Sequence, residues 1–137
     1  MSGASTVELR ISARPENVAL ARLALAGVAS VAGASREETA DLKLAVSEIC
    51  TNAVLHSYGD GTDGGVVLRY SVAGDILTVE ISDSGAGFDS QNGAEPVSSP
   101  RDGTLGLSIA RAVTDEFTIE SDGGGTRVVF SKRLSCS

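Results

Sequence analysis

The alternation of hydrophobic and polar side chains predicts a strand near the start of the chain. Over residues 6–12, Val7, Leu9 and Ile11 fall on one side and polar residues on the other. This period of two is typical of a half-buried strand. Four later segments have strand-like composition and are bounded by glycine and other turn residues: 66–72, 76–81, 117–120 and 127–130.

Helical periodicity appears in three further segments. The first helix is predicted over 15–29 and opens with a proline, which suits the first turn of a helix. The second is predicted over 35–57, because Ser35 and Glu38 have the spacing of a capping box. A third, short apolar helix is predicted over 105–114.

The order of these elements predicts the fold class. One strand and two helices are followed by two strands, a long loop, a helix and two strands, so hairpins dominate. We therefore expect a mixed, mostly antiparallel sheet with the helices on one face, an α+β fold built as a two-layer α/β sandwich. The 137 residues fit a single domain over 1–137. The loop 84–103 is polar and unusually long, and loops of that kind are often functional.

Charge and cysteine usage narrow the classes of function. The net charge is −7, from 18 acidic and 11 basic residues, and no Lys/Arg cluster is present. Nucleic-acid phosphates and anionic membrane surfaces are therefore unfavourable partners. Cys50 and Cys136 do not have the spacing of a metal site or a redox pair, and no apolar segment resembles a signal peptide. We expect free thiols and a cytoplasmic location.

Glu48 and Asn52 form the first candidate site. They lie four residues apart in the second predicted helix, between two apolar rows, and such a bracketed polar strip suits a cleft. A carboxylate there could act as a general base, and an asparagine oxygen is a suitable ligand for Mg²⁺. Taken alone the spacing is common, and both side chains could instead hydrogen-bond neighbouring loops.

Asp83 and the glycines that follow it form the second candidate site. Asp83 comes just after the predicted strand 76–81, and its carboxylate could accept a hydrogen bond from the exocyclic amine of adenine. Guanine has an oxygen at that position and would be repelled. Gly85 and Gly87 permit close approach of a ligand to the backbone. The motif by itself fits equally well a glycine turn in which Asp83 is a local cap.

Two weaker features come later in the chain. Gly103 precedes Thr104, Leu105 and Gly106, which open the third predicted helix, and backbone N–H groups at a helix start favour phosphate. Thr126, after a glycine, could place a hydroxyl near a base. Without context, an ordinary helix start and a hairpin turn explain both.

Taken together, the sequence resembles the GHKL (Bergerat-fold) ATPases, and more narrowly the anti-sigma-factor serine/threonine kinases of bacterial stress and sporulation control. The segment 45–53 resembles the N box, 83–88 the first glycine box, 103–107 the second glycine box, and 125–126 the closing Gly-Thr. The order and spacing of the four boxes carry the resemblance, which spans about 7–134.

The resemblance implies a role for each matching residue. Glu48 would be the base that acts on the attacking hydroxyl, and Asn52 would hold Mg²⁺ against the triphosphate of ATP. Asp83 would bind the adenine amine with support from Thr126. The remaining nucleotide contacts would come from Gly85, Gly87, Gly103, Thr104, Leu105 and Gly106.

The resemblance also implies a domain core over 5–134 and an ATP lid over 88–104. Thr104 stands where many members have a second consecutive glycine, which implies a stiffer hinge. Arg101 could reach the γ-phosphate, although the lid arginine of the family does not align cleanly with it.

The implied function is that of an ATP- and Mg²⁺-dependent protein serine/threonine kinase and anti-sigma factor. It would form a homodimer, sequester a sigma factor, and phosphorylate a serine of a STAS-type anti-anti-sigma partner. The alternative is an ATP-binding switch that holds its partner without phosphotransfer. A histidine kinase is disfavoured because no helix pair carries a phospho-acceptor histidine.

Overall fold

The computed structural model describes residues 5–57, 65–83, 109–121 and 125–135. This part of the chain contains two long helices and five strands: β1 (Ser5–Ser12), α1 (Val18–Ala32), α2 (Arg36–Ser57), β2 (Gly65–Ala73), β3 (Ile76–Asp83), β4 (Glu116–Ser121) and β5 (Thr126–Arg133). A 3₁₀ turn (Pro15–Asn17) precedes α1, and residues 109–112 are helical.

The five strands form one sheet in the order β1-β2-β3-β5-β4. Every described pair of neighbouring strands is antiparallel. The predicted α+β class is confirmed, and the described sheet is antiparallel throughout.

Helices α1 and α2 pack on one face of this sheet and form the hydrophobic core with it. Alternate residues of β3 are buried, as the period of a strand requires. Tyr70 and Phe130 are the largest buried side chains, and the rest of the core is mainly aliphatic. The Tyr70 hydroxyl donates to the carbonyl of Ala21 at 2.9 Å, so its polar group is satisfied inside the core.

The first helix differs from its prediction at both ends. Residues 15–17 form a 3₁₀ turn, and the α-helix begins at Val18 and continues to Ala32 instead of ending near residue 29. Gly33 ends the helix with φ 85°, a left-handed conformation that glycine adopts without strain. Gly27 lies inside the helix, and apolar residues continue on both sides of it.

The capping box of α2 is confirmed, and it also binds the C-terminal end of the described chain. The Glu38 N–H donates to Ser35 Oγ at 3.0 Å, and the Ser35 N–H donates to Glu38 Oε1 at 2.9 Å. The N–H and the hydroxyl of Ser135 both donate to Glu38 Oε2 at 2.7 Å. These hydrogen bonds lower the pKa of Glu38 to about 2, and the bond from the Ser35 N–H makes the largest contribution.

The opposite face of the sheet is charged. Arg69 pairs with Glu8 at 3.3 Å, and Arg127 pairs with both Glu80 and Glu120 at 2.8 Å. Exposed ion pairs of this kind each contribute little to the free energy of unfolding. The charged side chains make this face of the sheet suited to contact with water.

No helix among the described residues is long and apolar enough to cross a membrane.

We predict that Glu38→Gln destabilises the protein and weakens its pH dependence. The pKa of Glu38 is below its ordinary value of 4.5 in the folded protein, so the charged form stabilises the fold above pH 4.5. That contribution is lost as the pH falls from 4.5 to about 2. The expected cost at neutral pH is about 1–2 kcal/mol, measured by chemical denaturation.

The matched control is Glu37→Gln, because Glu37 is the exposed neighbour on the same turn. The unfolding free energy of Glu37→Gln should decrease below pH 4.5 in the same way as that of the wild type. Equal pH profiles for the wild type and Glu38→Gln would contradict the assigned role of Glu38.

Candidate nucleotide-binding site

The register of β3 and β5 places Asp83 and Thr126 side by side. Strand β3 ends at Asp83, β5 begins at Thr126, and the two residues are directly opposite each other in the antiparallel pair. Directly opposed side chains project from the same face of a sheet. Both are almost fully buried, with 8% and 5% of their surface exposed.

Helix α2 lies over Asp83 and Thr126, and a cavity remains between the helix and the sheet. Asn52 on α2 lines the cavity together with Asp83 and Thr126, and is 9% exposed. The other lining residues are aliphatic: Ile49, Ala53, Ile81, Ile119 and Val128. The structure therefore brings three of the predicted site residues, from the second helix, β3 and β5, to one place.

The aliphatic walls were not predicted as part of the site. Ile49 and Ala53 belong to the hydrophobic core, and Ile119 lies on the edge strand β4. Ile81, two residues before Asp83 on the same face of β3, was the signal that could have shown an apolar wall. Apolar walls with a few placed polar groups are typical of sites for planar ligands.

The cavity is narrow. Its volume is about 10 Å³, close to the space that one water molecule needs. A purine ring therefore requires the walls to move apart. A larger groove, of about 660 Å³, lies beside α1, and none of the predicted site residues lines it.

The side-chain amide of Asn52 carries an unsatisfied group inside this cavity. Its Nδ2 is buried and has no hydrogen-bond partner within the described residues. A buried donor without an acceptor is costly, and such groups in native proteins usually have a functional explanation. A ligand acceptor would satisfy Nδ2, and the Oδ1 of the same amide is the atom that could bind a cation.

Glu48 lies one helical turn before Asn52 and is half-buried. It is not among the residues that line the cavity. The carboxylate therefore lies outside the lining of the cavity in this structure. The described residues contain no group of three or more His, Cys, Asp or Glu side chains placed to hold a metal ion. A cation at Asn52 would need further oxygens from a ligand or from water, as Mg²⁺ commonly does.

The remaining predicted contacts cannot be placed on the structure. Outside the described residues lie Gly85, Gly87, Arg101, Gly103, Thr104, Leu105, Gly106 and the predicted lid 88–104.

Cys50 is a free thiol in the core, where burial raises its pKa to about 11. It therefore stays protonated at neutral pH and is poorly nucleophilic.

The chain is similar in sequence to a known family of ATPase domains and to named kinases. Residues 11–132 match the family described as histidine kinase-like ATPase domain. The chain is 40% identical to the serine-protein kinase RsbW of Bacillus pumilus (strain SAFR-032), over 94% of this chain and 86% of that protein. It is 38% identical to the serine-protein kinase RsbW of Bacillus subtilis (strain 168), over 98% and 89%.

The chain belongs to the RsbW family of serine-protein kinases, within the histidine kinase-like ATPases.

Solved structures support the fold of this RsbW-family chain. The RsbU and RsbW domains of Rv1364c from Mycobacterium tuberculosis superpose with a TM-score of 0.72 at 25% identity. That match covers 95% of this chain and about a third (32%) of the other. The histidine kinase domain of the blue-light activated histidine kinase EL346 from Erythrobacter litoralis gives a TM-score of 0.61 at 26% identity, covering 98% and 71%.

We predict that Asn52→Leu leaves the ligand-free RsbW-family domain as stable as the wild type or more stable. Leucine has the same branched shape and the same number of side-chain heavy atoms, and it removes a buried amide donor that has no partner within the described residues, so the desolvation cost disappears. The change in unfolding free energy should lie between about 0 and +2 kcal/mol, measured by denaturant titration without nucleotide.

Ala53→Asn provides the contrast, because it adds an amide to the apolar wall of the same cavity. That variant should be destabilised by about 1–3 kcal/mol. A loss of more than about 2 kcal/mol in Asn52→Leu would contradict the prediction.

Proposed function

We propose that this chain is an ATP-dependent serine kinase and anti-sigma factor that phosphorylates a serine of a STAS-type anti-anti-sigma protein and sequesters a sigma factor. The observation that carries the proposal is the buried cavity in which Asn52, Asp83 and Thr126 meet among aliphatic side chains. The membership of the RsbW family supports the choice of a serine hydroxyl as acceptor.

Adenine would bind between the aliphatic walls. The Asp83 carboxylate would accept a hydrogen bond from the adenine amine, and Thr126, directly opposite on β5, would support that contact. In a buried site a carboxylate that faces the guanine oxygen would be strongly unfavourable, because neither group can donate a hydrogen bond. The site would therefore select ATP over GTP.

Asn52 fits a role at the phosphates. Its Oδ1 would hold Mg²⁺, and phosphate oxygens and water would complete the coordination. Bound there, the cation would neutralise charge that develops on the phosphates during transfer. The unsatisfied Nδ2 of the same side chain would find an acceptor in the bound nucleotide.

Glu48 would act as the base. As the serine oxygen of the partner forms its bond to the γ-phosphorus, the bond from that phosphorus to the oxygen of the β-phosphate breaks, and ADP leaves. The proton of the serine hydroxyl passes to the Glu48 carboxylate. Positioning of the hydroxyl accounts for much of the catalysis in phosphoryl transfer, so a half-buried carboxylate beside the phosphates suffices as a base.

The assembly belongs to the same proposal. The family resemblance implies a cytoplasmic homodimer that sequesters a sigma factor and phosphorylates a serine of a STAS-type partner. The predicted nucleotide contacts of Gly85, Gly87, Gly103, Thr104, Leu105 and Gly106 would complete the ATP site, and Arg101 would reach the γ-phosphate.

The second candidate is an ATP-binding switch that holds its partner without phosphotransfer. One observation favours it, namely that Glu48 does not line the cavity. Incubation of the protein with γ-labelled ATP, Mg²⁺ and a STAS protein separates the two functions. Transfer of label to the STAS serine supports the kinase, and tight ATP binding without transfer supports the switch.

We predict that Glu48→Gln retains Mg·ATP affinity within about twofold and loses phosphotransfer by about 100-fold or more, the usual contribution of a general base. Calorimetry measures the affinity, and label transfer under single-turnover conditions measures the rate. Glu37→Gln, on the exposed first turn of α2, is the control and should transfer at the wild-type rate. Normal transfer by Glu48→Gln would eliminate Glu48 as the base.

We predict that Asp83→Asn reduces the preference for ATP over GTP. The asparagine amide can donate to the guanine oxygen, so the affinity ratio should fall by about tenfold or more, the effect of one buried hydrogen bond. Competition of ATP and GTP for a fluorescent nucleotide measures the ratio.

Asp75→Asn, at the exposed turn before β3, is the matched control and should keep the wild-type ratio. Equal affinity of the wild-type protein for ATP and GTP would contradict the proposed contact with adenine.

A further inference from the structure

Three charged residues lie behind the candidate site, on the face of the sheet opposite the cavity. They are Glu80 on β3, Arg127 on β5 and Glu120 on β4. Successive residues of a strand point to opposite faces, so the chain neighbours of these three residues point towards the cavity. The neighbours that line it are Ile81, Ile119, Thr126 and Val128. The charges therefore lie behind each of the three strands whose side chains line the cavity.

One guanidinium group joins these three strands. Arg127 Nε donates to Glu80 Oε2 at 2.8 Å, and Arg127 Nη1 donates to Glu120 Oε1 at 2.8 Å. Distances of this length are typical of charge-assisted hydrogen bonds. A guanidinium is planar and holds its donors in fixed directions, so it constrains the positions of two carboxylates relative to each other. We call these three side chains the Arg127 cluster.

The pairing register places the Arg127 cluster at the end of the sheet where the site lies. Arg127 is opposite Ser82 of β3 on one side and Glu120 of β4 on the other. The next opposed pair of β3 and β5 is Asp83 with Thr126, and it is the last one. The guanidinium therefore crosses the strands one residue before the two polar groups of the site.

Asp83 and Thr126 lie at strand ends, where backbone pairing opens most readily. The residue before Thr126 is Gly125, whose φ of 154° is a conformation that residues with side chains rarely adopt. Strand β4 is at the edge of the sheet and pairs with β5 alone within the described residues. A contact that crosses all three strands near their ends therefore limits fraying at the site.

The effect of the Arg127 cluster is expected to be local. Glu80 is 23% exposed and Glu120 is 66% exposed, so the pair with Glu80 is the less screened by water and salt. Ion pairs at such exposed positions contribute little to the free energy of global unfolding. The opening of a strand end breaks few other contacts, so the same two pairs are a larger part of what opposes it.

We propose that Arg127 is a positioning residue of the nucleotide site, which through its ion pairs with Glu80 and Glu120 holds Asp83 and Thr126 in the arrangement that recognises adenine. The inference rests on the proposed function, because it concerns the same adenine contact. Arg127 points away from the cavity, so it acts through the strands and does not touch the nucleotide. Loosening of the strand ends would weaken the contact with the adenine amine and lower the preference for ATP over GTP.

The test is Arg127→Gln, which removes the guanidinium and both ion pairs. Competition of ATP and GTP for a fluorescent nucleotide should show that the affinity ratio falls by about three- to tenfold, the effect of weakening one hydrogen bond. The midpoint of chemical denaturation should change little. A general loss of folded protein would lower both affinities by the same factor, so a change in the ratio separates positioning from a merely structural role.

Arg133→Gln is the matched control. Arg133 lies on the same strand and the same face as Arg127 but at the other end, where its guanidinium is 4.0 Å from the Asp75 carboxylate. The substitution removes the same charge, so it reports any effect of net charge on the binding of an anionic nucleotide. Arg133→Gln should keep the wild-type ratio.

Charge reversal tests the ion pairs themselves. Arg127→Glu sets three carboxylates together and should lower the ratio at least as far as Arg127→Gln. Addition of Glu80→Arg and Glu120→Arg to that variant restores opposite charges across the strands and should recover most of the ratio. A triple variant no more selective than Arg127→Glu would overturn the role of the ion pairs.

Amide hydrogen exchange provides a readout without nucleotide. Exchange at residues 126–128 should be about three- to tenfold faster in Arg127→Gln than in the wild type and unchanged in Arg133→Gln. Unchanged exchange in Arg127→Gln would overturn the inference. If the wild type prefers ATP and Arg127→Gln keeps that preference, the inference fails and the proposed function stands. If the wild type binds no ATP, the proposed function fails, and the role of Arg127 in adenine recognition fails with it.

Discussion

The packing of helix α2 against strands β3 and β5 is the contact on which the candidate site depends. Ile49 and Ala53 on the helix lie with Ile81 and Val128 of the sheet around the cavity. This apolar contact fixes the height of α2 above the sheet. Asn52 occupies the same turns of the helix, so the contact that stabilises the fold also positions the amide over Asp83 and Thr126.

The cavity combines apolar burial with a polar group that the free protein leaves unsatisfied. Most buried polar groups in proteins are paired, and Glu38 and Tyr70 follow that rule with bonds of 2.7–3.0 Å. Asn52 Nδ2 departs from it within the described residues. Binding sites commonly sacrifice some stability in this way, because a donor satisfied within the protein would be less available to a ligand.

The two long helices differ in how their surfaces are used. Helix α2 is strongly polar at its start and directs its middle turns into the core and the cavity. Helix α1 buries one side against the sheet and α2 and leaves a second apolar side exposed. The cavity between α2 and the sheet and the exposed side of α1 involve different residues.

Local patterns in the sequence determined the elements and their type. Alternation predicted the first strand and strand-like composition predicted the other four, each within a few residues, and the Ser35–Glu38 spacing predicted the start of α2 correctly. Helix α1 was placed about three residues too early at both ends, because a proline opens a 3₁₀ turn as readily as an α-helix. The candidate residues Asn52, Asp83 and Thr126 were also identified from the sequence.

Only the tertiary structure decided how these residues meet. Asp83 and Thr126 are far apart in the chain, and no local pattern shows that the register of β3 and β5 sets them opposite each other. The aliphatic walls were unforeseen because Ile49 and Ile119 have the pattern of ordinary core residues in their own segments. The exposed apolar side of α1 was not predicted for the same reason. Hydrophobic periodicity shows that a side chain is apolar, and the packing of the chain determines which apolar side remains uncovered.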